Sequence, residues 1–230
     1  MKKFELTAEF VTNVFGKKLF RIKALVAFGD VEKGELGGFI EKEDNLSHDG
    51  NAWVYGNAQV SGDARVYGDA RVYGNAQVYG NAQVYGNAQV YGDAQVSGDA
   101  WVSGNAQVSG DAQVYGDAWV SGNAQVSGDA RVYGDAQVSG DARVYGNADY
   151  AAVAGFGRYS RTTTFFRCKD KILRVQCGCF YGDLAQFREI VKKTHGDSKY
   201  AKEYLAIADL MELHFSDECG GEQMNDGKIH

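Results

Sequence analysis

Any chemistry in this chain has to start from four cysteines and a few histidines, and their positions narrow it quickly. Cys168, Cys177, Cys179 and Cys219 all lie in the last third, with His195 and His214 nearby in sequence. Cysteine and histidine in such density invite a zinc site. The spacing is Cys-x-Cys, not the two-residue gap of a zinc knuckle, and on a strand the two thiols would share a face as small hydrophobes. Structural cysteines are therefore expected, with Cys168, Cys177 and Cys179 the weak metal candidates, and no cofactor. A transfer or hydrolysis reaction needs a general base, a role that would fall to His48, His195 or His214. Between Gly50 and Tyr145 there is no His, Lys, Glu or Cys at all, which leaves that region without a base and without a three-histidine zinc site.

What the middle region offers is contact chemistry. Trp53, Arg71, Tyr73, Tyr91, Trp101, Trp119, Arg131 and Tyr133 are of the residue types enriched at interface hot spots, and they are the candidate ligand- or partner-binding positions. Aromatic faces also accept stacked bases or sugars. The competing reading is that these rings ladder on one another and stabilise a sheet. Nine Asp against four Arg in the same region could collect cations, although turn chemistry alone selects Asp at corners.

The element that must position them is read from a repeat. From Gly50 to Tyr145, 96 residues form 16 uninterrupted copies of Gly-[Asn/Asp]-Ala-x-Val-[Tyr/Ser]. Ala and Val lie two residues apart, the spacing that points both to one side of an extended strand. Gly followed by Asn or Asp turns the chain cheaply, so each short strand is followed by a corner. Proline, about 5% of an average chain, is absent and leaves the turns to these residues. Strand and corner in strict alternation can close only into a coil, the reading given to hexapeptide repeats as parallel β-helix units.

The phrase resembles the left-handed parallel β-helix of hexapeptide-repeat proteins, in which an aliphatic residue is followed four later by a small one. Val54 and Ala58, Val60 and Ala64, and so on to Val144 and Ala148 obey that rule. The resemblance implies three hexads per triangular coil, hence about five to six coils, and a prism roughly 25 Å long at the usual strand spacing. It also brings acyl transfer into view, since many such proteins use a histidine at a subunit boundary and an extruded loop; the hexads contain neither. Every third hexad shares a face: Trp53, Arg71 and Tyr73 with Tyr91 fall on the first, Arg131 and Tyr133 on the second, Trp101 and Trp119 on the third.

The flanks read differently. Residues 1–49 contain two apolar runs around Gly16-Lys17, a β-hairpin cap, and an opening coil in which Ile40, Leu46 and Ala52 stand six apart. The segment GDVEKGELGGFIEKEDNLS, with the hairpin and the repeats, resembles bacteriophage and prophage hexapeptide-repeat proteins of unassigned activity. After residue 150 the period vanishes, and 151–230 reads as a small α+β module of two strands, around Lys169-Asp170-Lys171, and two helices. Asp183 with Gln186 forms a capping box, Leu184, Phe187, Ile190 and Val191 share a face, Gly196 closes the first helix, and a second runs from about Ser198 to Leu213. CGCFYGDLAQFREIVKKTHGDSKYAKEYLAIADL resembles a phage-encoded module found behind such repeats.

A net charge of −6 and a pI near 5.3 argue against a protein whose business is neutralising nucleic-acid phosphates. Charges interrupt the apolar residues of MKKFELTAEFVTNVFGKKLF, so no membrane span or signal peptide is expected, and the cytoplasm is the expected location, with a virion as the other if the chain is phage-encoded. The sequence thus leads to a mainly β, non-catalytic interaction scaffold that binds a protein partner or itself, a phage-derived origin and a trimer being what the resemblance implies. Its alternatives are a sequestering or inhibitory protein for a host factor or small nucleotide, and an acyltransferase.

Overall fold

The computed structural model describes residues 2–216. Among them the repeat supplies sixteen two-residue strands, β4 (Trp53–Val54) to β19 (Arg143–Val144), one per hexad. Each pairs in parallel with the strand 18 residues away, so Val72 lies between Val54 and Val90, and Val120 between Val102 and Val138. Three hexads therefore make one turn of a β-solenoid, about six turns in all once the opening coil is included. The Val and Ala of every hexad are fully buried and form one continuous aliphatic core. Glycine opens each corner at positive φ, as at Gly92 (φ +72°), a conformation that costs a residue with a Cβ.

The coils are tied at their corners as well as along their strands. Within one hexad, Asn87, Gln89 and Tyr91 N–H groups donate to the Gly104, Ala106 and Val108 carbonyls of the next coil at 2.8–2.9 Å. Corner side chains add a second ladder: the Asn87 amide donates to Asn105, Asn105 to Asn123 and Asn123 to Asp141, at 3.2, 3.0 and 3.1 Å. An amide both donates and accepts while a carboxylate only accepts, which explains why Asn and Asp share this position without being equivalent in it.

The amino-terminal cap is a hairpin, β1 (Phe4–Thr12) and β2 (Lys18–Ala24), followed by β3 (Leu36–Ile40). β2 pairs antiparallel with β3, and β3 runs parallel to Gln59–Val60, so the cap extends the second face as an eight-stranded sheet. The opening coil begins before the regular phrase, as expected, with Ile40 beside Val60 and Leu46 bridged to Val66. Its third inward position is Val54, paired with Val72, and not the expected Val-type place for Ala52, which takes the small-residue position beneath it. Leu46 to Val54 is eight residues where the phrase allows six, so the corner containing His48 carries two extra residues.

At the other end, the module has four antiparallel strands where two were expected: β20 (Tyr150–Phe156), β21 (Arg161–Arg167), β22 (Leu173–Cys177) and β23 (Phe180–Asp183). Tyr150–Phe156 continues from the fading last hexad, and Phe180–Asp183 is too short to show alternation. Helices α1 (Leu184–His195) and α2 (Lys199–His214) pack on this sheet around a second core of Phe165, Val175, Phe187, Tyr204 and Met211. Asp183 and Gln186 form the capping box and Gly196 ends α1, whereas Ile190 is exposed, not inward. The module closes the open end of the solenoid: Thr164 Oγ1 accepts from Gln137 N–H at 3.0 Å, Lys169 N–H donates to Asp141 O at 3.0 Å, and Ser139 Oγ donates to Gln176 Oε1 at 3.2 Å. Strand edges that would otherwise pair with another chain are thereby covered.

Candidate functional site: the aromatic face

The eight candidate positions do not come together. Trp53 is outward on its coil yet fully buried, because Phe4 and Phe28 of the cap fold over it, their ring centroids 6.2 and 5.3 Å away. It is therefore a core residue, and a partner has no access to it. Arg71 is committed to the cap through an ion pair with Asp30 at 3.0 Å, and Asp30 also accepts from the Tyr55 hydroxyl. Tyr73 and Tyr91 are stacked at 4.9 Å on the first face. On the second face Tyr115 and Tyr133 stack at 5.5 Å beside Arg131, where Tyr150, its hydroxyl donating to the Arg131 carbonyl, covers part of the row.

The third face is different in kind. Tyr67 and Tyr85 stack at 4.9 Å, Tyr85 meets Trp101 edge-on at 6.3 Å, and Trp101 meets Trp119 edge-on at 5.5 Å. Four rings in consecutive coils thus form one row. The mechanism is register: Tyr67 with Tyr85 and Trp101 with Trp119 stand 18 residues apart at the same place in successive coils, while Trp101 pairs with Gln83 and so comes beside Tyr85, two residues further along that coil. The Tyr67 hydroxyl donates to Gln83 Oε1 at 3.0 Å, and the Trp119 indole N–H donates to Ser103 Oγ at 3.3 Å. These bonds hold the polar ends of the rings down. Trp101 and Trp119 nevertheless remain 38% and 39% exposed, while the tyrosines are half-buried. Burial, and then the neighbouring Tyr85, pushes the Tyr67 phenol above its ordinary pKa.

Two hollows lie along this row and share Gln83. One, of about 480 Å3, is floored by Trp101 and Trp119 and walled by Asn81, Asp99 and Asp117. The Asn81 amide donates to Asp99 at 2.9 Å. The other, of about 560 Å3, lies at the enlarged corner between Glu43, His48, Arg65 and Tyr67.

His48 is the histidine in this hollow. Its ring stacks on Phe4 at 4.3 Å, and its Nδ1 accepts the Lys3 backbone N–H at 3.2 Å. With Nδ1 an acceptor, the neutral ring carries its hydrogen on Nε2, which faces Glu43 Oε2 at 3.8 Å. Neither nitrogen then offers a lone pair to the hollow. His195 stacks on Tyr204 at the end of α1, and His214 lies against Phe215 at the end of α2.

The cysteines are engaged separately. Cys168 is buried, its sulfur 3.8 Å from the Tyr181 hydroxyl, and burial raises its thiol pKa. Cys177 accepts from Thr163 Oγ1 at 3.2 Å. The expected strand through both Cys177 and Cys179 is instead a tight hairpin turn: Cys177 pairs with Phe180, Gly178 stands at φ +58°, and Cys179 is exposed at the tip. Among the described residues no three His, Cys, Asp or Glu side chains are grouped as metal ligands, and no helix is long and apolar enough to cross a membrane. Cys219 lies outside the described residues.

Comparison with protein families matches the repeat region to the YdcK beta solenoid repeat, in overlapping segments 58–74, 64–80, 76–92, 88–104, 94–110, 106–122, 112–128, 124–140 and 136–148. The protein is a β-solenoid repeat protein. No curated protein matches the chain.

Proposed function

We propose that the chain is a non-catalytic interaction scaffold whose third face docks a protein partner presenting basic side chains. The observation that carries this is the row Tyr67, Tyr85, Trp101 and Trp119, ending in two exposed indoles on a rigid sheet. Trp in a pre-formed hollow anchors a partner at little entropic cost, and Asp99 and Asp117 beside it favour lysine or arginine, which also stack on indole faces. The occupied lone pair of His48 supports the non-catalytic half of the reading. In this proposal the coil is left-handed and the chain is phage-derived, as the resemblance to hexapeptide-repeat proteins implies, and it works in the host cytoplasm or on the virion.

Native mass spectrometry of the protein drawn from the cells that make it, beside the Trp101→Ser/Trp119→Ser variant, tests the proposal. The intact chain retains a protein of different mass and the variant loses it while unfolding at nearly the same urea concentration. A partner kept by the variant, a homo-oligomer with no other protein, or a bound small molecule as sole companion refutes it.

A further inference from the structure

The junction between the last coil and the module holds a second, unrelated feature. The hexads are acidic, but residues 146–216 carry eleven Lys and Arg against eight Asp and Glu. Two of those cations, Lys169 and Lys171, converge with Arg143 of the last hexad on a cavity of about 410 Å3 that Tyr145 also bounds, with Cys168 beneath. Arg167 also borders it, its guanidinium donating to the Phe215 carbonyl at 2.8 Å. The carboxylate on its wall, Asp149, is already engaged: Oδ2 accepts the Tyr145 and Gly146 N–H groups at 2.8 and 3.1 Å.

The cations stand on fixed backbone. Arg143 stands on the last solenoid strand, and its Nη1 donates to the Asn123 and Ala142 carbonyls at 3.1 Å, which fixes the guanidinium plane. Lys169 and Lys171 ride on a turn closed by Cys168 N–H to Ile172 O (3.2 Å), Lys171 N–H to Cys168 O (2.8 Å) and Ile172 N–H to Asp170 Oδ1 (3.0 Å). Lys171 sits at φ +64°; among the described residues it and Ser160 are the non-glycine residues with positive φ. Such a conformation costs a residue with a Cβ about 1–2 kcal/mol. A lysine where glycine or asparagine fits more cheaply marks a position at which the charge itself is used.

We infer that this junction cavity binds a phosphorylated small molecule, its phosphates held between Arg143, Lys169 and Lys171. Arginine offers paired donors matching two phosphate oxygens, and the two lysines supply mobile point charges. The volume exceeds that of a phosphate, leaving the organic part against the Tyr145 ring, which is 55% exposed. The site is independent of the aromatic face, so either assignment can fail alone.

The test is isothermal titration of the intact protein with ADP at about 50 mM salt, where charge pairing is only partly screened. The expected result is one ADP per chain with submillimolar affinity, weakened about tenfold or more in the Lys169→Ser/Lys171→Gly variant. Glycine at 171 relieves the backbone strain, so this variant keeps its fold. Lys33→Gln, an exposed cation at the far end, leaves binding unchanged. No heat with millimolar ADP, or equal weakening in the Lys33→Gln control, overturns the inference.

Discussion

Two glycines offer a test of how tightly the coils are stacked. Gly92 and Gly134 occupy the same place in the phrase with φ of +72° and +62°. A Cβ on Gly92 would stand 3.0 Å from the Gly110 nitrogen and 3.2 Å from its oxygen, whereas one on Gly134 meets nothing within 4 Å. Replacement by alanine therefore costs both sites the left-handed penalty, about 1–2 kcal/mol. Gly92→Ala adds steric overlap with backbone that cannot swing aside, because the Gly110 carbonyl is held by the Asp93 N–H at 2.9 Å. Overpacking of this kind costs about 1–3 kcal/mol. Gly92→Ala is thus expected to lose about 2–5 kcal/mol and Gly134→Ala about 1–2 kcal/mol, read as midpoint shifts at constant slope in urea unfolding. Equal shifts, or a larger one for Gly134→Ala, would refute the claim that close coil contact selects glycine.

Other outcomes follow from the cap and the faces. Trp53→Ala should cost about 3–5 kcal/mol and Trp119→Ala about 1 kcal/mol or less, since one ring is fully buried and the other 39% exposed; calorimetry of the two variants distinguishes them. Trp53→Phe should be much milder than Trp53→Ala, because the buried indole N–H has no partner among the described residues. The Lys3 ammonium is buried, donates to the Ala52 carbonyl at 2.9 Å, and has its pKa lowered to about 8 by desolvation, against the opposing pull of Asp49 and Asp69. Its folded pKa lies below the unfolded value, so the folded state releases its proton first and stability rises with pH between 8 and 10, by up to about 2 kcal/mol. Above pH 10 the tyrosines raised by burial, such as Tyr55 at about 12, reverse that slope. Urea midpoints across this range, compared with Lys3→Met, in which the rise disappears, check the assignment.

The solenoid was legible because the phrase states its own geometry: Val and Ala two apart, glycine at each corner, no insertion for 96 residues. The repeat also gave the membership of each face, and Trp101 and Trp119 do share one. What it could not give is what covers a face. Trp53 obeys the outward rule of its hexad and is still buried, since Phe4 and Phe28, far away in sequence, close over it. The enlarged corner was hidden for a related reason: Ala52 keeps the six-residue count from Ile40, and only pairing shows that Val54 takes the stacked position. In the module, Cys177 and Cys179 show how one glycine at positive φ converts an alternating strand into a turn. The junction cavity draws Arg143 and Lys171 from separate elements, and no local pattern announces it.

Pairing at intervals of 18 residues has a consequence for how such a chain can change. Adding or deleting three hexads lengthens or shortens the rod by one strand spacing, about 4.8 Å, and returns every later residue to its former face. A single hexad, though it preserves the phrase perfectly, carries everything downstream to the neighbouring face and redirects the module about a third of a revolution. Length is therefore free to vary only in whole turns: the smallest heritable step that leaves both surfaces and caps in place is three phrases, a unit invisible to anyone counting repeats one at a time.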